Sequence, residues 1–209
     1  RIDAERERSL FTSLSDFTRR TGAPTDAIEA LATAGAFGTL GETRRSALWA
    51  AGALRDARAD KLPGLVTGVA APPLPGMTEV EETAADLWAT GLTPGRHPTE
   101  FVRRRLTDRG VVTVEALREL PHRTVVEVAG IVTHRQQPDT AKGVVFVNLE
   151  DETGLLNVIC TADVWRRFRK VARMSPALVV RGMLERYQGV INVVAARIEE
   201  LPLTAADMV

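Results

Sequence analysis

Between residues 125 and 200 the chain alternates apolar and polar residues with a period of two, in short runs broken by turn residues. Val125–His134, Gly143–Glu150 and Leu155–Cys160 are three such runs, rich in β-branched side chains. A helical pattern follows over Ala162–Arg173. Two more strand runs, Ala177–Tyr187 and Val190–Glu200, are joined by the turn Gln188-Gly189. Three strands, a helix and two strands is the order of a small, partly open barrel in which the helix plugs one end. Gly130 gives the first strand room for the bend that closure needs, and Glu150–Gly154 reads as the turn between strands two and three.

That order predicts an OB-fold over residues 122–202, and the period of two sorts its faces. Val145, Val147, Leu149, Leu156, Val158 and Cys160 should point inward, leaving Phe146, Asn148, Asn157 and Ile159 outside. An outward aromatic on strand two is placed to stack a nucleic-acid base. Arg135 and Lys142, in the loop between strands one and two, and Arg181, Arg186 and Tyr187 on strand four are candidates to track a single-stranded backbone. In the plug helix, Trp165 and Phe168 share a face that should close the barrel. Arg166, Arg167, Arg169 and Lys170 then ring the outside, away from the binding groove, as a candidate protein-docking surface.

Residues from about Ser13 to Ala59 read as three helices. Ser13 with Asp16 looks like an N-cap, Leu14 and Phe17 share a face, and Gly22 ends the first helix. Thr25 can cap the second, which carries Ile28, Leu31 and Ala32, and Gly35 stops it. Thr39 and Glu42 have capping-box spacing before a third helix with Leu48, Ala51 and Leu54 on its buried stripe. A helix, a tight hairpin bearing Gly35, Gly38, Thr39 and Gly41, and a second helix is an arrangement that grips a DNA phosphate. Glycines let the backbone approach, and free amides at the next N-terminus attract the anion. Arg44 and Arg45 are placed to reach neighbouring phosphates; the alternative is an ordinary glycine-capped bundle. Beyond a Pro/Gly-rich stretch, a helix from Glu79 puts Val80, Ala84, Leu87 and Trp88 in register. Another opens at His97-Pro98, and a short one capped by Thr113 carries Leu117 and Leu120. The predicted class is therefore α+β and multidomain: a helix-hairpin-helix region at 1–60, a linker at 61–78, connecting helices at 79–121, the barrel at 122–202 and a tail at 203–209.

Bulk composition bounds the function. Lys plus Arg and Asp plus Glu number 27 each in 209 residues, so no global field draws in a polyanion. Over residues 122–201, 11 basic residues face 9 acidic ones, a weak bias for a tight single-strand binder. The single cysteine excludes a disulfide framework and fits a reduced cytoplasm. No apolar run reaches the roughly 20 residues that span a bilayer. There is no P-loop, nucleophile elbow or zinc motif, and His97, His122 and His134 lie in different segments. Glu79-Glu81-Glu82 and Glu150-Asp151-Glu152 read as a solvated helix start and a turn rather than as metal-binding carboxylates. The chain begins with Arg1, which suggests a piece of a longer protein.

Taken together, these segments resemble the C-terminal region of the bacterial C-family DNA polymerases of the alpha-subunit type. The resemblance is carried by Ser15–Arg20, by Ile28–Gly38 with Arg44, by Gly95–Pro98, by Ala129–Val132 and by Phe146–Gly154. Val190–Ala195, with the chain ending soon after Leu201, is more similar to the error-prone, damage-induced subfamily than to the replicative one. The resemblance implies a parent that extends DNA past lesions, with its Mg2+-dependent polymerase domain upstream and no cofactor in this segment. It also implies a Y-family-like inactive polymerase and a RecA-like accessory protein as partners, and an indirect link to the sliding clamp. Two readings stay open: a non-catalytic DNA-binding module for primer-template and single strand, and a module docking the polymerase to its mutagenic partners. An anticodon-binding barrel of a tRNA synthetase is a distant third.

Overall fold

The structure, a computed structural model, describes residues 1–60, 70–187 and 189–203. The chain divides into two compact units, Arg1–Pro94 and Gly95–Val209. The boundary falls inside the segment 79–121 expected as one set of connecting helices. Linker residues 61–69, the side chains of residues 54–60 (Leu54 among them), Gln188 and tail residues 204–209 lie outside the described residues.

The first unit is helical: α1 (Ile2–Arg8), α2 (Leu14–Thr21), α3 (Thr25–Thr33), α4 (Arg44–Asp60) and α5 (Glu79–Thr90). Ser13 accepts the Asp16 N–H as expected, and Gly22 takes the left-handed conformation that ends α2. Leu14, Phe17, Ile28, Ala32 and Phe37 form the core with Ala47, Ala50 and Ala51 of α4. Phe17 stands edge-on between Phe11 and Phe37, with ring centroids 5.1 and 5.2 Å away.

Four local expectations are corrected here. Pro24, not Thr25, precedes α3, and no side chain caps that helix. The start of α4 is capped by Thr43, whose Oγ1 accepts the Ser46 N–H at 3.1 Å, because Gly38–Leu40 winds a 3-10 turn that takes Thr39 out of capping position. The buried face of α4 is alanine-lined and Leu48 is exposed, since close helix approach leaves no room for leucine. In α5 the buried residues are Val80, Thr83 and Asp86, whereas Ala84 and Trp88 are exposed. The face is selected by a charge, Asp86, rather than by the apolar register.

The second unit opens with α6 (Pro98–Asp108), where His97 is the N-cap and Pro98 the first helical residue. Five strands follow: β1 (Val125–Gln136), β2 (Val145–Asp151), β3 (Gly154–Cys160), β4 (Ala177–Tyr187) and β5 (Val190–Glu200), with α7 (Ala162–Met174) between β3 and β4. They close into a barrel in the order β1-β2-β3-β5-β4, parallel only between β3 and β5. All six residues expected inward on β2 and β3 are buried, and Trp165 and Phe168 pack against the core from the plug helix. Gly130 is needed for clearance rather than for a bulge. A Cβ there would lie 2.6 Å from the Glu150 carbonyl oxygen, while the register of β1 shifts further on, between Val132 and His134.

The Glu150-Asp151-Glu152 turn is structural. Asp151, 3% exposed, accepts the N–H groups of Val114, Thr153 and Gly154. Glu152 accepts from the Arg103 guanidinium at 2.9 Å and from the Thr99 hydroxyl, tying α6 to the barrel. Burial pushes the Glu152 carboxyl up, but hydrogen bonds from Arg103 and Thr99 together hold it below its ordinary 4.5. A depressed carboxylate stabilises the fold above its unfolded pKa and loses that contribution as pH falls through the folded one. Thermal melts should therefore show stability falling below about pH 4.5, and Glu152→Gln should flatten that limb; an unchanged acid limb would remove Glu152 from the account.

Candidate nucleic-acid interface

In the hairpin, the backbone is partly open and the two arginines are committed to partners within the helical unit. Gly35 and Gly41 have φ of 74° and 80°, and Gly38 and Gly41 face open space, so the turn between α3 and α4 presents bare backbone. Arg44 and Arg45 begin α4, and their N–H groups have no intrahelical acceptor there, the arrangement that attracts an anion. Their side chains are committed elsewhere. The Arg44 guanidinium donates to both Asp86 oxygens at 2.7 and 3.2 Å and to the Thr33 carbonyl at 3.0 Å. A Cβ on Gly35 would come within 3.2 Å of its Nε, so the glycine makes room for Arg44 rather than for a phosphate. The hydrogen bonds from Arg44 to Asp86 hold its pKa above the ordinary value. Arg45 pairs with Glu81 at 2.9 Å and donates to the Pro75 and Gly76 carbonyls. The expectation that both arginines reach for DNA is corrected: their partners on and before α5 lie some 30–40 residues along, out of reach of local pattern reading.

On the barrel, the outer face of β2 and β3 brings together more than expected. Asn148 is paired across the strands with Asn157, Asn157 with Asn192 of β5, and His134 of β1 with Asn148. Asn157 Nδ2 donates to Asn192 Oδ1 at 2.8 Å. The next row joins Gln136, the half-buried Phe146, Ile159 and Val194. Cross-strand neighbours share a face, so a ladder of hydrogen-bonding side chains lies beside an aromatic and apolar row. A cleft of about 710 Å3 opens at the Asn148–Asn157 part of the ladder, lined also by the 63%-exposed Leu155 and by Arg118, Arg186 and Ile191.

Other predicted contacts are redistributed. Arg135 does not project into a loop. It lies near the end of β1 and donates to the Ala172 and Ser175 carbonyls at 2.7 and 2.6 Å, at the C-terminal end of α7, because its register places it on the barrel-interior side of β1. Burial alone lowers its pKa from the ordinary value. Arg186 donates to the Leu117, Arg118 and Leu120 carbonyls, so it builds the cleft wall. Arg181 sits apart, beside Arg109, Glu127, Arg197 and Glu199, and does not extend the track. Lys142 and Tyr187 are exposed. On α7, Arg166 pairs with Asp163 at 3.2 Å and Arg167 lies over the Phe168 ring; Arg169 and Lys170 are exposed. Missed altogether were His134, Asn192, Leu155 and Arg118. Asn192, like Asn148 and Asn157, is a lone amide between apolar neighbours in its strand; that the three line up depends on register.

Residues 126–201 match the model of the OB-fold nucleic acid binding domain, and residues 1–47 that of the helix-hairpin-helix motif. Across 99% of its length the chain is 52% identical to an error-prone DNA polymerase of Mycolicibacterium paratuberculosis, and across 92% it is 51% identical to one of Mycobacterium tuberculosis. By sequence the chain is a relative of the bacterial error-prone DNA polymerases. It spans about a fifth of the length of these relatives, covering 19% of the first and 18% of the second. Among solved structures, asparaginyl-tRNA synthetase from Pyrococcus horikoshii is 20% identical, over 45% of this chain and 23% of that one, with a TM-score of 0.37. For an error-prone polymerase relative, nucleotidyl transfer would need two metal ions held by carboxylates. Among the described residues no three His, Cys, Asp or Glu side chains are grouped to hold a metal, and Asp151 and Glu152 are spent on backbone N–H groups and Arg103. No helix among the described residues is long and apolar enough to cross a membrane. Cys160 is buried, its thiol pushed up to about 11 by burial, and so unreactive.

Proposed function

We propose that this chain is the DNA-holding, non-catalytic part of an error-prone, translesion DNA polymerase acting in the cytoplasm on damaged DNA. In this reading the hairpin backbone at Gly38–Gly41 and the start of α4 take a duplex phosphate, and the β2–β3 face of the barrel guides single-stranded template. The observation that carries it is the ladder His134–Asn148–Asn157–Asn192 beside Phe146, with a cleft at Asn148 and Asn157. Carboxamides both donate and accept, so they suit base edges of any sequence, and an aromatic neighbour stacks any base. Sequence-tolerant holding is what a polymerase needs from a template guide.

Fluorescence-anisotropy titration with oligothymidine tests this. Phe146→Ala should cost about 1–3 kcal/mol of stacking, roughly 5- to 150-fold in affinity. Unchanged affinity would sink the barrel half of the proposal. The second reading then stands: a docking surface on α7, where Arg166, Arg167, Arg169 and Lys170 are exposed, for the inactive polymerase and the accessory protein. The clamp link and the upstream Mg2+ chemistry remain parts of the same proposal for the parent.

A further inference from the structure

A second, smaller cleft of about 330 Å3 lies where the plug helix meets the end of β1. Arg135, Gln136, Gln137, Trp165, Arg169 and Arg173 line it. We infer that this cleft is a phosphodiester-binding station for the single strand that crosses the β2–β3 face. The inference rests on the template-guiding reading above and extends the path beyond it.

Three observations carry it. First, charge converges. Three arginines and two glutamine amides face one space with no carboxylate among the lining residues, and among the described residues Arg169 and Arg173 form no ion pair. Trp165, Arg169 and Arg173 follow at four-residue spacing and all three line the cleft, across a kink of α7 at Phe168, whereas Arg166 and Arg167 do not line it. The basic run on this helix is thus divided, with the exposed Arg169 and Arg173 lining the cleft and Arg166 and Arg167 outside it. Second, the site is built. Arg135 is fixed by the Ala172 and Ser175 carbonyls, so one cationic wall is already ordered, and the indole of Trp165 is held against the barrel core. Third, it is continuous with the proposed face. Gln136, which lines the cleft, is the cross-strand partner of Phe146. A strand stacked on Phe146 and passing Gln136 would enter the cleft that Arg169 and Arg173 line. An acidic peptide would be drawn by the same charge, but nothing about it would call for the adjoining aromatic row.

The test is a salt titration of oligothymidine binding to the full chain, as wild type, as Arg169→Gln with Arg173→Gln, and as the charge-matched control Arg166→Gln with Arg167→Gln. Each phosphate contact on a single strand contributes about 0.7 to the slope of log affinity against log salt. The first pair should lower the slope by about 1.4, which is about 25-fold weaker binding at 0.1 M salt, and the control should not. An unchanged slope, or an equal loss in both pairs, overturns the station. Inorganic tripolyphosphate held as tightly as the oligonucleotide, with the same arginine dependence, would make it a free-phosphate site and overturn the strand assignment. A phosphoserine peptide that alone depends on Arg169 and Arg173 would overturn it in favour of a protein partner. Phe146→Ala separates the layers. Affinity insensitive to it, with a slope that still falls in the arginine pair, removes the face but keeps the station; the reverse pattern removes the station alone.

Discussion

Gly182→Ala should destabilise the barrel by about 3 kcal/mol, at the upper end of the usual cost of overpacking a tight interior. A Cβ at this position would stand 2.2 Å from the Val194 carbonyl oxygen and 2.8 Å from a Val193 methyl. The nearest obstacle is backbone, which cannot swing away as a side-chain tip can. Gly182 also sits where the β4–β5 register shifts, between Arg181 and Gly182, so relief would require β5 to move. That strand carries Val193, Ala195 and Ile198 into the core and Asn192 onto the ladder. Loss of stability should therefore be accompanied by weaker oligonucleotide binding. Urea denaturation with hydrogen exchange read over each unit checks this: protection should fall across 125–200 and hold in 14–53. A variant with wild-type barrel stability would show that β5 gives way freely at this crossing.

Arg44→Ala should cost the helical unit about 2–3 kcal/mol, the worth of hydrogen bonds to a charged group that is left buried without its partner. Asp86 is 8% exposed and takes both of its guanidinium contacts from Arg44. The same guanidinium holds the Thr33 carbonyl at the end of α3. Removing it weakens the tie between α5 and the hairpin, leaving the Arg45–Glu81 pair, and strands the Asp86 carboxylate. Arg44→Lys should recover only part, because an ammonium cannot make the bidentate contact. Hydrogen exchange over α3 and α5 is the readout. Arg44→Ala together with Asp86→Ala should cost less than the sum of the single changes, since the pair is then removed whole. A strictly additive double variant would mean the contact contributes nothing.

Most of the barrel was legible because its signals are local. Strand bounds at 177–187 and 190–200 match the structure, and the inward residues of β2 and β3 follow from period two alone. Ser13, Gly22 and His97-Pro98 punctuate helices by backbone chemistry that needs no tertiary partner. The first helix, Ile2–Arg8, was missed because it buries no residue and so has no apolar stripe to find. Charged residues were the least legible. By position in the sequence Arg44, Arg45, Arg135 and Arg186 are all placed to reach nucleic acid, yet all four are folded back onto carbonyls or carboxylates. A long guanidinium is equally suited to a phosphate or to an internal carbonyl, and which one it finds depends on what the fold brings near.

By itself, then, the sequence determined the elements, the inside and outside of each strand and the kind of domains present, because these depend on periodicity and on the φ and ψ preferences of single residues. The tertiary structure decided the register that aligns His134, Asn148, Asn157 and Asn192 across four strands. It also decided that Arg44 serves α5 and that Arg169 and Arg173, but not Arg166 and Arg167, face a cleft. Those outcomes depend on closing the barrel and on satisfying buried donors and acceptors between segments far apart in the chain, which no local pattern encodes.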